Sequence, residues 1–232
     1  MKKIIISIIW IASGIALYAQ DDFSYTEAFD SVFTNISRTD ATTGILYERV
    51  IPFAQLHNFN SNGDTSYMEH FIQAYFELYK ARFLPSGNLL FSSDSLVSLI
   101  NTNSPIVDIG ILHYKFNTID SIVAAQKLYV GVDSVLFENT AITASLYLEK
   151  IAFVASPLKE SVEMGTVCFR FRDMFQFDNT GNSIVSLMVD FDDGNGLRPI
   201  TDSLITIIYT TTNGIKTLRF EALLSNGEIL TT

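Results

Sequence analysis

Residues 189–196 read Val189-Asp190-Phe191-Asp192-Asp193-Gly194-Asn195-Gly196. Apolar and acidic side chains alternate as far as Asp192, which predicts a strand with Val189 and Phe191 in a core and Asp190 and Asp192 facing solvent. The residues that follow favour a tight turn, because glycine adopts positive φ and Asp and Asn hydrogen-bond their own backbone. The stretch therefore predicts a β-strand that ends in an acidic turn.

The same period of two recurs through the second half of the chain. It predicts seven strands, at residues 107–116, 127–137, 145–155, 166–172, 184–192, 204–209 and 216–224. The pair Asn226-Gly227 favours a type I′ hairpin that leads into a last short strand at Ile229. Short strands separated by turns at this spacing predict an antiparallel β-sandwich over residues 105–232.

The first part of the chain has helical signals instead. Two capping boxes predict helices that start at Ser24 and Ser66, and a shorter helix is predicted over residues 94–100. In the second helix, the spacing places His70 and Glu77 on a solvated face. We therefore expect a small helical region over residues 20–104 and an α+β, mainly β fold for the whole chain.

Residues 1–19 have the layout of a secretory signal peptide. Lys2 and Lys3 precede an apolar run over residues 4–17, and Ala19 supplies a small residue before a cleavage point at Gln20. An uncleaved membrane anchor is the alternative, but the run is shorter than the roughly 20 apolar residues that a spanning helix needs. The sequence predicts export to the periplasm, the cell surface or the medium, without a transmembrane segment after cleavage.

Composition narrows the classes of partner. The 232 residues are 48% hydrophobic, enough for a packed core, and the formal net charge is −10. Loss of Lys2 and Lys3 with the signal peptide makes the charge two units more negative. An acidic surface disfavours nucleic acids and anionic membranes, which attract Lys and Arg clusters. A protein domain or a cell-surface ligand remains as partner, and the oligomeric state stays open.

The candidates for catalysis are few. Cys168 is the single cysteine, so a disulfide within the chain is excluded, and it falls on the polar side of a predicted strand with Arg170 and Arg172. The three histidines are scattered and lack the spacing of zinc ligands. Whether two carboxylates stand at a catalytic separation is a three-dimensional property that the sequence leaves open. We expect a non-catalytic protein with neither catalytic residues nor a bound cofactor.

The acidic turn supports two interpretations. Asp190, Asp192, Asp193 and Asn195 supply hard oxygen ligands of the kind that calcium prefers, so a calcium site is one of them. Their spacing differs from that of an EF-hand loop. The other interpretation is a structural turn with a solvated acidic rim, and the turn-forming chemistry of Asp193 and Asn195 favours it.

The same residues carry a resemblance. The stretch 189–194, the later Tyr209 and the segment Gly214-Ile215-Lys216-Thr217-Leu218 are similar to the polycystic-kidney-disease (PKD) repeat, an Ig-like sandwich. Asp192 stands where that family usually has Gly, and Ile215-Lys216 replaces the commoner pair before the Thr. The resemblance covers about the last third of the chain and implies an Ig/PKD-like sandwich.

A broader likeness extends towards the N-terminus. Residues 44–47, 111–119 and 153–158 resemble the N-terminal region of certain large secreted proteins of Gram-negative bacteria, in which an α/β-hydrolase-like domain follows. Such a domain needs a Gly-x-Ser-x-Gly elbow, and these 232 residues contain none. We therefore expect a secreted, non-catalytic accessory or binding module. The alternative is the leading segment of a secreted α/β-hydrolase-type enzyme whose catalytic domain lies outside this chain.

Overall fold

A computed structural model describes residues 24–54, 56, 59, 65–84, 90–162, 165–210 and 214–232. The predicted signal peptide lies outside these residues. The described part of the chain is mainly β, with 38% of its residues in strands and 22% in helices, which confirms that part of the sequence prediction. The α-helices are α1 (Ser24–Val32), α2 (Met68–Ala81), α3 (Ser93–Leu99) and α4 (Ser121–Lys127), and 3₁₀ turns cover Tyr47–Arg49 and Val132–Ser134.

The strands form two sheets of four strands and a separate ribbon. They are β1 (Ile106–Ile119), β2 (Leu128–Val130), β3 (Leu136–Glu138), β4 (Tyr147–Pro157), β5 (Thr166–Asp178), β6 (Ile184–Asp190), β7 (Arg198–Pro199), β8 (Leu204–Ile208), β9 (Arg219–Leu224) and β10 (Ile229–Thr231). The first sheet has the order β4-β1-β5-β8, the second β10-β9-β6-β7, and β2 pairs with β3. These pairings are antiparallel except for the parallel pair β1–β5.

The two four-stranded sheets pack face to face. One buried cluster takes side chains from both, among them Val107, Phe153 and Phe169 from the first sheet and Val189, Phe220 and Leu230 from the second. Burial of this shared apolar surface is the main force that holds the sheets together. Whether this pair of sheets belongs to the Ig/PKD-like class stays a prediction.

Helix α2 covers the other face of the first sheet. Its buried residues Phe71, Tyr75 and Leu78 join Leu112 and Tyr114 of β1 in a second cluster. Val107, Ile109 and Ile111 of β1 face the second sheet, whereas Leu112, Tyr114 and Phe116 face the α2 side, so this strand is buried on both sides. Residues on both sides of position 104 therefore contribute to one core.

Strand β5 exchanges its two faces at a bulge. Ile109 pairs with Phe171 and Ile111 pairs with Gln176, so two steps on β1 stand opposite five on β5. The odd number of extra residues reverses the alternation. As a result, Phe169 and Phe171 face the second sheet, whereas Phe175 and Phe177 belong to the core beneath α2.

Several local predictions about the first part were wrong. Glu77 of α2 is buried, not solvated, and its carboxylate accepts hydrogen bonds from the backbone N–H groups of Phe53 and Ala54 and from the Tyr47 hydroxyl. Burial raises the pKa of this carboxyl. Ser66 does not start the helix, because Tyr67 occupies the N-cap position and the Ser66 hydroxyl donates to the Ala155 carbonyl at 2.8 Å.

In the second half, the bounds of some strands differ from those predicted. Residues 127–137 are not one strand, since α4 runs to Lys127 and a turn separates β2 from β3. Val185 is 58% exposed because it is the extra residue of a bulge between Ile184 and Ser186. The last hairpin forms as expected, but only Gly227 has positive φ, so its turn is not type I′, which needs positive φ at both central residues.

Among the helices of the described part of the chain, none has the length and apolar character to cross a lipid bilayer.

Candidate binding cleft

The acidic turn is oriented as the sequence predicts. Val189 and Phe191 are fully buried in the core between the sheets, whereas Asp192 is exposed and Asp190 is half-buried. The Asp190 side chain accepts a hydrogen bond from the Asp192 backbone N–H at 2.9 Å, and Asp192 has a φ of 55°. The carboxylate of Asp190 therefore closes the turn onto its own backbone, as Asp residues in turns commonly do.

Asp193 is held by a cation of the same turn. Arg198 donates to its two carboxylate oxygens at 2.6 and 3.3 Å, and the Asn195 side-chain amide donates to it at 3.0 Å. These bonds lower the pKa of Asp193 to about 2, with Arg198 as the main cause. The guanidinium of Arg198 also lies 5.1 Å from the centre of the Phe191 ring, so the turn is fixed to the core.

Asp192 connects the turn to the segment 214–218. Lys216 Nζ donates to the Asp192 carbonyl at 3.2 Å and lies 3.8 Å from its carboxylate, and the Thr217 backbone N–H donates to the same carboxylate at 3.4 Å. Lys216 also lies over the ring of Tyr209, whose hydroxyl donates to the buried Phe191 carbonyl at 2.7 Å. The turn thereby braces the segment that precedes β9.

The four proposed calcium ligands are engaged in different contacts. Asp190 binds the backbone, Asp193 accepts from both Asn195 and Arg198, and Asp192 faces Lys216. Within the described ranges, no group of three or more His, Cys, Asp or Glu side chains is arranged to hold a metal ion. Calcium binding at this turn stays a prediction.

A cleft of about 1000 Å³ opens beside the braced segment. It lies at the end of the two sheets where β1, β5 and β9 begin and β4, β8 and β10 end. Apolar residues of the core between the sheets form its floor, namely Val107, Val167, Phe169, Tyr209 and Phe220. Its walls come from residues 65–69 at the start of α2, 159–162 after β4 and 214–218 before β9.

Two carboxylates face each other on one wall. Glu69 in the first turn of α2 and Glu160 after β4 share a side-chain hydrogen bond. Because a hydrogen bond between two carboxyl groups needs a proton on one of them, the pKa of Glu160 is raised and that of Glu69 is lowered. The pair therefore releases one proton at a higher pH than an isolated glutamate does.

The positively charged residues of the cleft interact with groups other than Glu69 and Glu160. Lys159 donates to the Ser104 carbonyl at 2.8 Å, Lys216 faces Asp192, and Arg219 lies 3.7 Å from Glu221. Among the described residues, no Lys or Arg forms an ion pair with Glu69 or Glu160. Of these three cations only Lys216 and Arg219 face carboxylates, so the cleft walls carry charges of both signs.

The rim of the cleft carries exposed apolar side chains, one on each wall. Tyr67 is 59% exposed, Val162 is 38% exposed and Ile215 is 93% exposed. An apolar residue as exposed as Ile215 has no packing role in the isolated chain. Three of them around one opening enlarge its apolar surface beyond the floor.

The other chemical candidates from the sequence are not among the residues that line the cleft. Cys168 Sγ lies 3.4 Å from the Thr206 hydroxyl, and its neighbours Arg170 and Arg172 pair with the buried Asp108. His113 is buried and contacts Asp178 at 3.1 Å. His70 packs between the rings of Phe59 and Tyr67, and His57 lies outside the described residues.

Sequence reasoning identified one part of the cleft and missed the others. The motif at 214–218 was expected to be a strand, but β9 begins only at Arg219, and the residues before it form a wall. Glu69 stands in the predicted capping box at Ser66, which gives it only a helix-start role, and Glu160, 91 positions later, stands in no local motif.

These features define a mainly β protein with two packed four-stranded sheets, an outer helical layer and a cleft at one end of the sheets. Comparison with known proteins found no protein-family model, no curated protein and no solved structure that matches the chain.

Proposed function

We propose that this chain is a non-catalytic binding module whose ligand site is the end cleft. The observation that carries the proposal is the cleft itself, about 1000 Å³ in volume, with a floor of core side chains and mixed polar walls. Pockets that bind ligands in proteins are commonly of this size or somewhat smaller, and they are mainly apolar with a few placed polar groups.

The position of the cleft supports a binding role. Loops at the end of a rigid β framework are a common place for binding residues, because the sheets fix their positions while their sequences are free to vary. Here the wall at 214–218 is tied to the acidic turn through Asp192, Lys216 and Thr217. A braced wall presents its side chains in one arrangement and therefore loses less conformational freedom when a ligand binds.

Binding is favoured over catalysis by the surroundings of the reactive side chains. Cys168 contacts a threonine hydroxyl rather than a histidine, and neither the buried His113 nor its partner Asp178 is among the residues that line the cleft. A catalytic thiol needs an adjacent base or a helix N-terminus to form its thiolate. The accessory role expected from the sequence fits this arrangement.

The proposal also includes the fold class of the two packed sheets and the location of the protein in the cell. The face-to-face sheets support an Ig/PKD-like sandwich, as does the contact of Tyr209 with Phe191, because both residues belong to the motif that carries the resemblance. The composition of residues 1–19 supports export, so the ligand is expected outside the cytoplasm.

An NMR screen of the ¹⁵N-labelled chain against a fragment library tests the binding role. We expect fragments whose shift changes cluster on Val107, Phe169 and Leu218, and an Ile215→Arg variant should weaken them while Val132→Arg, at an exposed position outside the cleft, should not. Shift changes scattered over the surface, or none at all, would overturn the proposal. Turnover of ester or glycoside substrates above background would overturn its non-catalytic part.

A further inference from the structure

We propose that strand β8 is an edge at which a second copy of this chain docks, with the two β8 strands antiparallel. Strand β8 is the last in the order β4-β1-β5-β8, so one of its sides faces away from the sheet. The proposal goes beyond the binding role of the cleft, because none of residues 204–208 lines the cleft. Pairing of two copies joins their first sheets into one continuous sheet.

The outer side of β8 presents backbone groups to solvent. Directly after β8, the Tyr209 backbone N–H donates to the opposite Gly165 carbonyl at 2.7 Å, so the odd-numbered residues of β8 turn their N–H and C=O groups towards β5. Because this direction alternates along an antiparallel strand, Leu204, Thr206 and Ile208 turn theirs away from β5. In the described part of the chain, no other strand pairs with that side. It therefore offers a row of donors and acceptors to an added strand.

The other edges of the two sheets are protected against such pairing. Strand β7 is two residues long and includes Pro199, and β10 is three residues long. Strand β4 carries Glu149 and Lys150, and its Phe153 N–H donates to the Phe59 carbonyl at 2.9 Å. Charges, prolines and short strands keep an exposed edge from pairing with another chain. Strand β8 reads Leu-Ile-Thr-Ile-Ile and has neither charge nor proline.

The same edge exposes apolar side chains. Leu204 is 48% exposed and Ile208 is 72% exposed, on the face opposite to Ile205 and Ile207, which pack in the core between the sheets. A strand added alongside β8 covers part of this apolar surface, because cross-strand neighbours on one face lie about 5 Å apart. Pairing therefore adds apolar contacts to the backbone hydrogen bonds.

A second copy of β8 matches this edge residue by residue. A two-fold axis at Thr206 places Leu204 of one copy opposite Ile208 of the other and Thr206 opposite Thr206. Each of these opposed residues turns its N–H and C=O towards the other copy, which gives about six hydrogen bonds between the chains. Apolar pairs and Thr–Thr pairs stabilise antiparallel strands. A slipped register that places Ile208 opposite Asp202 loses the apolar pairs.

The self-complementary sequence selects a second copy over a strand of another protein. A two-fold dimer brings the same patch of both subunits together, so the patch has to tolerate itself. Although the chain has a formal net charge of −10, β8 carries no charge, and two copies meet there without like charges in contact. Because β8 ends at the cleft, the two clefts lie at opposite ends of the joined sheet.

Analytical ultracentrifugation of the purified chain over micromolar to millimolar concentrations tests the pairing. We expect a monomer–dimer equilibrium. Thr206→Lys places two ammonium groups opposite each other at the axis and should weaken the dimer about a hundredfold, and Ile208→Lys should weaken it about tenfold. Ile215→Lys is the matched control, because it adds the same charge at an exposed apolar position outside β8 and should leave the equilibrium unchanged.

Amide hydrogen exchange of the unchanged chain tests the register without any variant. The N–H groups of Ile205 and Ile207 should be protected at every concentration, whereas those of Leu204, Thr206 and Ile208 should gain protection only as the dimer forms.

Three results would overturn the proposal. They are a chain that stays monomeric at millimolar concentration, a dimer that Thr206→Lys leaves intact, and protection of the Leu204, Thr206 and Ile208 amides in the dilute monomer, which would show that another segment of the same chain covers the edge. Circular dichroism melting of each variant shows whether a lost dimer reflects lost structure. The fragment screen of the cleft is independent of these results, since residues 204–208 do not line the cleft.

Discussion

The acidic turn at residues 190–195 and the carboxylate pair of the cleft show how similar residues acquire opposite electrostatics. Asp193 stands beside Arg198, and its pKa falls to about 2, whereas Glu160 stands beside Glu69, and its pKa rises. The first arrangement stabilises the charged state and belongs to the framework. The second opposes the charged state of Glu160 and lies at an opening. The partner of each carboxylate, and not its residue type, therefore separates a structural group from a candidate binding group.

The largest loss of stability is expected when Arg198, the cation of the acidic turn, is removed. Arg198→Ala leaves the Asp193 carboxylate, whose side chain is only 7% exposed, without its partner. We expect a loss of about 2 kcal/mol in the free energy of unfolding, since an unpaired and partly buried charge is costly. Arg219→Ala is the control, because Arg219 is 61% exposed and weakly paired. Equal losses in urea unfolding would show that Arg198 has no special structural role.

A smaller effect is expected from removal of the charge on Asp193. The pKa of this carboxyl is lower in the folded chain than in the unfolded chain, so its contribution is present above pH 4 and is lost as the pH falls towards 2. Asp193→Asn should cost about 1–2 kcal/mol at pH 7 and flatten the pH dependence of unfolding between pH 4 and 2. If Asp193→Asn loses stability between pH 4 and 2 as the unchanged chain does, Asp193 is not the source of that loss.

At the cleft, removal of a carboxylate is expected to change the stability of the chain in the opposite direction. The pKa of Glu160 is raised on folding by Glu69, so the stability associated with it is present at low pH and falls as the pH rises through the folded value. Glu160→Gln should raise the melting temperature slightly at pH 7 and leave it unchanged at pH 3. The shift should be smaller than that of Asp193→Asn, because Glu160 is exposed to solvent. A lower melting temperature at pH 7 would contradict the repulsion between the two glutamates.

The smallest change in stability is expected when calcium is added. Because Arg198 and Lys216 already face the carboxylates of Asp193 and Asp192, millimolar calcium should leave the melting temperature of the chain unchanged. A rise that Asp190→Asn abolishes would instead establish the calcium site and would remove the contrast between the two acidic regions.

Sequence patterns predicted the parts of the fold that depend on neighbours along the chain. The alternation around Val189 and Phe191 predicted their burial, and the sequence Asn226-Gly227 predicted the last hairpin. Hairpin β2–β3 escaped prediction because its turn places the non-glycine residues Asp133 and Ser134 at positive φ. Helical periodicity placed Glu77 on a solvated face of α2, but it carries no information about the segment at Phe53 and Ala54 that covers this side chain.

The candidate site was far less predictable. Its charged pair joins the start of a helix to a loop 91 positions later, and its floor consists of residues whose apolar alternation predicts only a core. A cleft is a gap between elements, and its existence depends on how two sheets end relative to each other. No local pattern encodes that relation, so the sequence indicates only a helix-capping role for Glu69 and no role for Glu160.

The exchange of faces along β5 has a consequence for how the protein unfolds. One strand supplies Phe171 to the core between the sheets and Phe175 to the core under α2, and β1 likewise contributes to both. Loss of either core would leave half of these two central strands without packing. We therefore expect the helical layer and the paired sheets to melt together as one cooperative unit, in a single calorimetric transition.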